Sequence, residues 1–296
     1  MGILSAVNSL DEYTRNVMLE DLEKNNKSLD DIVTITKTYN FFKRNASGDI
    51  LPLNSNDLKI IQQKIEQQQS PSEMKLEKFY ETKINTSYFS PVTTVKAYEQ
   101  EKYDGITVTT WATDYSSGSN YDVRYKLFGV FNWLWDDNSD EDYEYLPNMS
   151  GDDYMTLNWA GNLTLETERY AEVQVKEYPW DTENVVYTYE TGDSSGFIEL
   201  ADVEPNGGIG FRFDEKYPLG APAYNAQADH GHMSVFVHRN NSTGEDGNFK
   251  FTYTHTWKSA DIGYSITPGA GSSAGSISIN FSDKTKNFEV YDLVSM

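Results

Sequence analysis

At 296 residues the chain is long enough to bury a sizeable core without covalent staples, and the absence of cysteine excludes disulfides, thiolate nucleophiles and zinc–thiolate centres. Its formal charge of −22 falls almost wholly after Asn85, and such a field repels phosphate backbones and anionic head groups. Nucleic acid is therefore not an expected partner, electrostatic docking on a membrane is disfavoured, and no apolar run approaches the about 18 residues of a spanning helix.

In chain order, the first signals are helical. Ser9 and Glu12 form a capping box, followed by Leu10, Tyr13, Val17 and Leu22 on one stripe and a stop at Asn25 and Asn26. Ser28 with Asp31 opens a second expected helix carrying Leu29, Ile32, Ile35 and Tyr39. Leu58, Ile61 and Ile65 mark a third, and Ser70, Pro71 and Glu73 cap a fourth through Met74, Phe79 and Tyr80. Residues 1–85 are accordingly expected to be a helical N-terminal segment. Its apolar stripes either pack within the chain or pair with another copy to give a homo-oligomer.

From Ser87 the period changes to two. Strands are expected at Val92–Glu99, Gly105–Thr113, Asp122–Trp135, Tyr154–Leu165 and Tyr170–Tyr178, and they continue to Asn287–Tyr291. Many short strands joined by Gly, Asn, Asp and Ser turns, without intervening helices, predict a mainly β chain whose residues 86–296 form an antiparallel β-sandwich. The clearest alternation is in DHGHMSVFVHRNNSTGEDGNFKFTYTHTW, Asp229 to Trp257. It reads as a β-hairpin with Met233, Val235 and Val237 on the apolar face of one arm and Phe249, Phe251 and Tyr253 on the other.

Candidate chemistry is sparse. After the aromatic run Phe131, Trp133 and Trp135, the acidic stretch Asp136, Asn138, Asp140 and Asp142 spaces oxygen ligands as the first half of a Ca²⁺ loop does. The match then departs from the pattern, with Glu141 where glycine is required and Pro147 where glutamate is. A Ca²⁺ ion and a solvated acidic tip both remain open readings there, and no other cofactor is expected. His230 and His232 have the spacing of two ligands on one strand face but lack a following carboxylate. Acid pairs are too numerous to single out a glycosidase pair, and no nucleophile or phosphate-loop motif is present. The chain is therefore read as a non-enzyme. Trp133 and Trp135 share a strand face beside the acidic stretch and are the residues chosen for ligand binding, by stacking on sugar rings or anchoring a protein.

HGHMSVFVHRNN, GNFKFTYTHTW, the Ser/Gly-rich stretch after it and the closing GSISINF resemble a group of uncharacterised exported proteins of spore-forming Gram-positive bacteria. FNWLW followed by DDYMTLNWAGNL shares that resemblance, which covers Gly105 to Val294. It implies export and an all-β domain and brings no activity or functional residue. Met1–Asn8 has neither the charged start nor the apolar core of a signal peptide. The expected setting is extracellular or on the cell surface, with the signal absent from this chain. The leading reading is a sandwich that binds a cell-envelope glycan or protein, or a matrix component, or assembles with itself. The alternatives are a pore-forming toxin that stores Thr164–Val175 or Gly269–Phe281 as barrel strands and, behind it, a glycoside hydrolase.

Overall fold

The computed structural model describes residues 3–44, 50–68, 102–117, 123–134, 152–160, 162–178, 185–214, 225–239, 247–257, 263–267, 276–280 and 286–296. The expected fourth helix and the strand Val92–Glu99 lie outside these residues.

Two helices come first, α1 (Ile3–Asn8) and α2 (Glu12–Lys24). Asp11, rather than Ser9, caps α2: its Oδ1 accepts from the Thr14 N–H at 2.8 Å. Asn26, at φ 54°, takes the left-handed position that ends the helix, as the Asn-rich stop predicted. Ser28 and Asp31 do form a capping box, but it opens only a 3-10 turn, Leu29–Asp31. The chain then enters strand β1 (Ile32–Arg44), not the expected second helix. The run IVTITKTYNFF is β-branched and aromatic, and these side chains lose χ1 freedom in a helix but fit a pleated surface. The short β2 (Ile50–Leu51) and helix α3 (Ser55–Gln68) complete this part, so its helical portion is confined to α1, α2 and α3 among the described residues.

The remaining strands are β3 (Lys102–Asp114), β4 (Arg124–Trp133), β5 (Asp152–Trp159), β6 (Leu163–Tyr178), β7 (Val185–Glu190) and β8 (Ile198–Glu204). They continue as β9 (Gly208–Asp214), β10 (Asn225–Arg239), β11 (Asn248–Trp257), β12 (Gly263–Thr267), β13 (Ser276–Asn280) and β14 (Lys286–Ser295). One antiparallel sheet runs β2-β1-β3-β4-β10-β6-β7, a second β14-β11-β5-β9-β8, and β12 and β13 form a separate pair. The two large sheets pack face to face, so the chain is mainly β, an antiparallel sandwich with a small helical part at its N-terminus.

Two sequence expectations change here. Tyr154–Leu165 is not one strand: β5 ends at Trp159, β6 begins at Leu163, and the two lie in opposite sheets. Nor do β10 and β11 pair as a hairpin. β10 lies between β4 and β6, whereas β11 lies between β14 and β5 in the facing sheet. Their apolar parities meet across the core instead of side by side, with Met233, Val235, Val237, Phe249, Phe251 and Tyr253 all fully buried in one cluster.

Aromatic rings tie the layers together. Phe131 of β4 stacks on Tyr253 of β11 with centroids 4.1 Å apart and 9° between planes. Beneath the β1 edge the layer is polar. Thr36 and Thr38 donate to the buried Asp292 of β14, the latter at 2.9 Å, and burial raises the pKa of that carboxyl.

Candidate functional site

The larger sheet also has an outer face, and cross-strand register divides it into rows. One row, Ile35–Trp111–Phe128–Ser234–Tyr170, is apolar at its centre. Trp111 and Phe128 stack at 4.5 Å, and with Val130 they form a second core beneath Val7, Met18 and Leu22 of the N-terminal helices and Leu10 between them. The helices thus lie on the sheet. Asp21 fastens them further, accepting from Lys126 Nζ at 2.5 Å and from the Tyr115 hydroxyl at 3.2 Å. Toward the other end of the strands, Phe41 and Leu134 pack with Leu53, Ile60 and Ile61 at α3.

Between these two covered zones lies a polar strip. Register aligns Tyr39, Thr107, Asn132, His230, Gln174 and Thr188 across six strands. Tyr39, Asn132, His230 and Gln174 are half-buried, and Thr188 is exposed. A bulge in β10 between Ala228 and His230 sets Asp229 beside its neighbour. The His230 ring is consequently held at both nitrogens, with Nδ1 2.7 Å from Asp229 Oδ2 and Nε2 2.7 Å from Gln174 Oε1.

Tyr13 of α2 closes one border of the strip. Its ring lies 3.8 Å from that of His230, and its hydroxyl is 2.8 Å from His232 Nδ1. Glu172, opposite His232 in the register, accepts from Tyr170 at 3.0 Å and from Tyr13 at 3.4 Å. His232 is only 7% exposed, and burial, reinforced by the Lys126 ammonium and by His230, pulls its pKa down to about 3. It is neutral at physiological pH. Burial, followed by the charge of Glu172, pushes the Tyr13 and Tyr170 hydroxyls upward, so both remain protonated. The strip combines aromatic faces, amides, a histidine and carboxylates on rigid strands, which equips it for hydrogen bonding and stacking.

Sequence reasoning placed His230 and His232 together but missed Tyr13, Tyr39, Asn132 and Gln174. Part of the signal was present: Tyr170, Glu172 and Gln174 alternate with the buried Ala171, Val173 and Val175, which marks a polar face opposite a core face. Among the described residues no group of three histidines or carboxylates is placed to hold a metal ion. Trp135 and the acidic residues Asp136, Asn138, Asp140 and Asp142 lie outside the described residues.

Trp133 sits on the inner parity of β4, not on the strip. It makes edge contacts with Phe42 at 6.0 Å, Tyr253 at 6.2 Å and His255 at 5.7 Å, packed against the main core. Under this indole is a buried polar cluster in which the Tyr253 hydroxyl donates to Asp153 Oδ2 and His255 Nδ1 lies 3.0 Å from the same oxygen. Because the indole fills the rim of the core, Trp133→Ala is expected to lower stability by about 3 kcal/mol, read as a shifted urea midpoint. A midpoint unchanged from wild type would show that the ring is dispensable for packing.

Fold and face together define an antiparallel β-sandwich that carries a polar, aromatic strip between helix-covered zones. Compared with known proteins, the chain matches no family model and no curated sequence. It resembles several solved structures. One is a pore forming protein, at 8% identity and TM-score 0.27, covering 65% of this chain and 86% of that one. Another is the C-terminal domain of the Streptococcus pyogenes antigen I/II-family protein AspA, at 12% identity and TM-score 0.28, with 74% and 79% covered. A third is the pilus backbone RrgB from Streptococcus pneumoniae, at 9% identity and TM-score 0.22, with 58% and 41% covered. No helix among the described residues is long and apolar enough to cross a membrane.

Proposed function

We propose that this chain is a non-enzymatic extracellular protein that binds a cell-envelope glycan or protein through the outer face of its larger sheet. The observation that carries this reading is the strip Tyr39–Asn132–His230–Gln174, partly exposed polar and aromatic side chains aligned on four strands while the zones on either side are closed by helices. Strands fix such groups with little entropy left to lose on binding. The histidines support binding rather than catalysis. His230 is engaged at both ring nitrogens, His232 is buried against Tyr13, and His255 is buried against Asp153.

The test is cosedimentation with purified cell-wall sacculi and with insoluble polysaccharides. Wild type is expected to pellet with one of them. The double variant Tyr39→Ala, Gln174→Ala is expected to bind about tenfold or more weakly, as loss of two central contacts implies, while its unfolding midpoint stays near that of wild type. Equal pelleting by the folded variant, or no pelleting of wild type with any of these materials, would sink the assignment.

A further inference from the structure

The border between α2 and the strip has a second property, which rests on the reading of this face as a binding surface only for its consequence. We propose that the Tyr13–His232 contact is an acid-sensitive latch: it holds α1 and α2 on the outer face at neutral pH and releases them as the imidazole takes a proton, uncovering Trp111, Phe128 and Val130 beside the polar strip.

The geometry supplies both halves of such a device. In the closed state the neutral His232 ring is almost fully buried, and its Nδ1 meets the hydroxyl of Tyr13, a residue of α2. The groups around it come from every neighbouring element. Tyr13 belongs to α2, near its capping Asp11, which lies 3.5 Å from Lys37 of β1. Lys126 stands on β4 and His230 on β10. Tyr170 and Glu172 stand on β6, and Glu190 of β7 is the register partner of Glu172. Two of these, Lys126 and His230, oppose a positive charge on His232, while the Glu172 carboxylate is already engaged by two tyrosine hydroxyls. Protonation therefore places a charge under the helix where water cannot reach it. Lifting the helix returns that charge to solvent.

The direction is set by linkage. The closed state depresses the His232 pKa to about 3 from an ordinary value of 6.5. The open state therefore binds more protons throughout that window, and opening becomes more favourable as pH falls through it. Each unit below 6.5 raises the opening constant about tenfold, or about 30-fold at pH 5.0 relative to pH 7.5. Opposing release are the packing of Met18 and Leu22, the Asp21 contacts to Lys126 and Tyr115, the Asp11–Lys37 pair and the contacts of Tyr13 to Glu172 and His230.

Hydrogen exchange of the full chain at pH 7.5 and 5.0, corrected for intrinsic rates, reads this opening. Amides of α2 are expected to lose about 30-fold of their protection while those of β5 and β11 keep theirs, and His232→Gln, which still offers Tyr13 a hydrogen-bond partner, is expected to abolish the difference. Unchanged α2 protection in wild type, an equal loss in His232→Gln, or a parallel loss in the core strands would overturn the latch. Should His232→Gln not fold, an imidazole titration by NMR on wild type decides the question. An apparent His232 pKa of about 6 or below, with α2 resonances shifting as the ring takes its proton, supports the latch, and one above about 6, or protonation that leaves the α2 resonances unmoved, overturns it. Cosedimentation with sacculi at the two pH values keeps the two ideas apart: absence of binding at both defeats the binding surface and leaves the exchange result standing.

Discussion

Replacing Gly129 by alanine is expected to lower the stability of the sandwich by about 3 kcal/mol or more, at the upper end of what overpacking costs. Gly129 of β4 faces Met233 of β10 in register, and the ring of Phe251 from the opposite sheet occupies the space where a side chain would stand. An added Cβ would lie 2.0 Å from Phe251 Cδ2 and 2.1 Å from Cγ. Such contacts cannot be relieved by rotating a flexible tip. Phe251 is fully buried, so either the ring leaves its rotamer or the sheets separate locally. Chemical denaturation would show a lowered midpoint at an unchanged slope. Adding Phe251→Leu to Gly129→Ala is expected to recover part of the loss, because the two positions share one volume. A Gly129→Ala protein as stable as wild type would mean that β4 and β11 do not face each other at this point.

The second large effect is expected at Asp153. This carboxylate, fully buried, accepts from the Tyr253 hydroxyl and lies against His255 Nδ1, and both partners are themselves buried. Asp153→Ala removes an acceptor shared by a buried hydroxyl and a buried imidazole, at an expected cost of about 3–5 kcal/mol. Asp153→Asn keeps one oxygen for the tyrosine and is expected to cost less than half as much. Tyr253→Phe, which deletes a donor without exposing a void, is expected to cost about 1 kcal/mol. The order of the three midpoints is the informative result. If Asp153→Ala proved no worse than Tyr253→Phe, the cluster would be a tolerated polar inclusion rather than a tie between β5 and β11.

Stability and the proposed function are linked through division of labour between the two faces of one sheet. Inward residues such as Leu127, Phe131 and Val235 are fully buried and fix strand positions. Outward residues on those same strands, Asn132 and His230 among them, inherit that rigidity while keeping part of their surface in solvent. The N-terminal helices then decide how much of the outer face is open.

Much of this was legible in the residues alone. Alternation in β10 and β11 identified them as strands with one apolar parity, because a two-residue period has no other economical origin than a pleated surface. The stop of α2 at Asn25 and Asn26 was equally local, set by which side chains can satisfy free backbone groups or adopt φ > 0. Tertiary structure decided the rest. Alternation tells a strand which face is apolar but not what covers it, so the same pattern in β10 and β11 served a hairpin as well as two facing sheets. Ile32 to Arg44 carried a helical spacing and a strand composition at once, and pairing along β3 settled it by supplying hydrogen bonds over the whole length. The Tyr13–His232 contact joins residues 219 positions apart, and no local propensity encodes a neighbour that exists only once the sheet has closed and a helix has folded back on it.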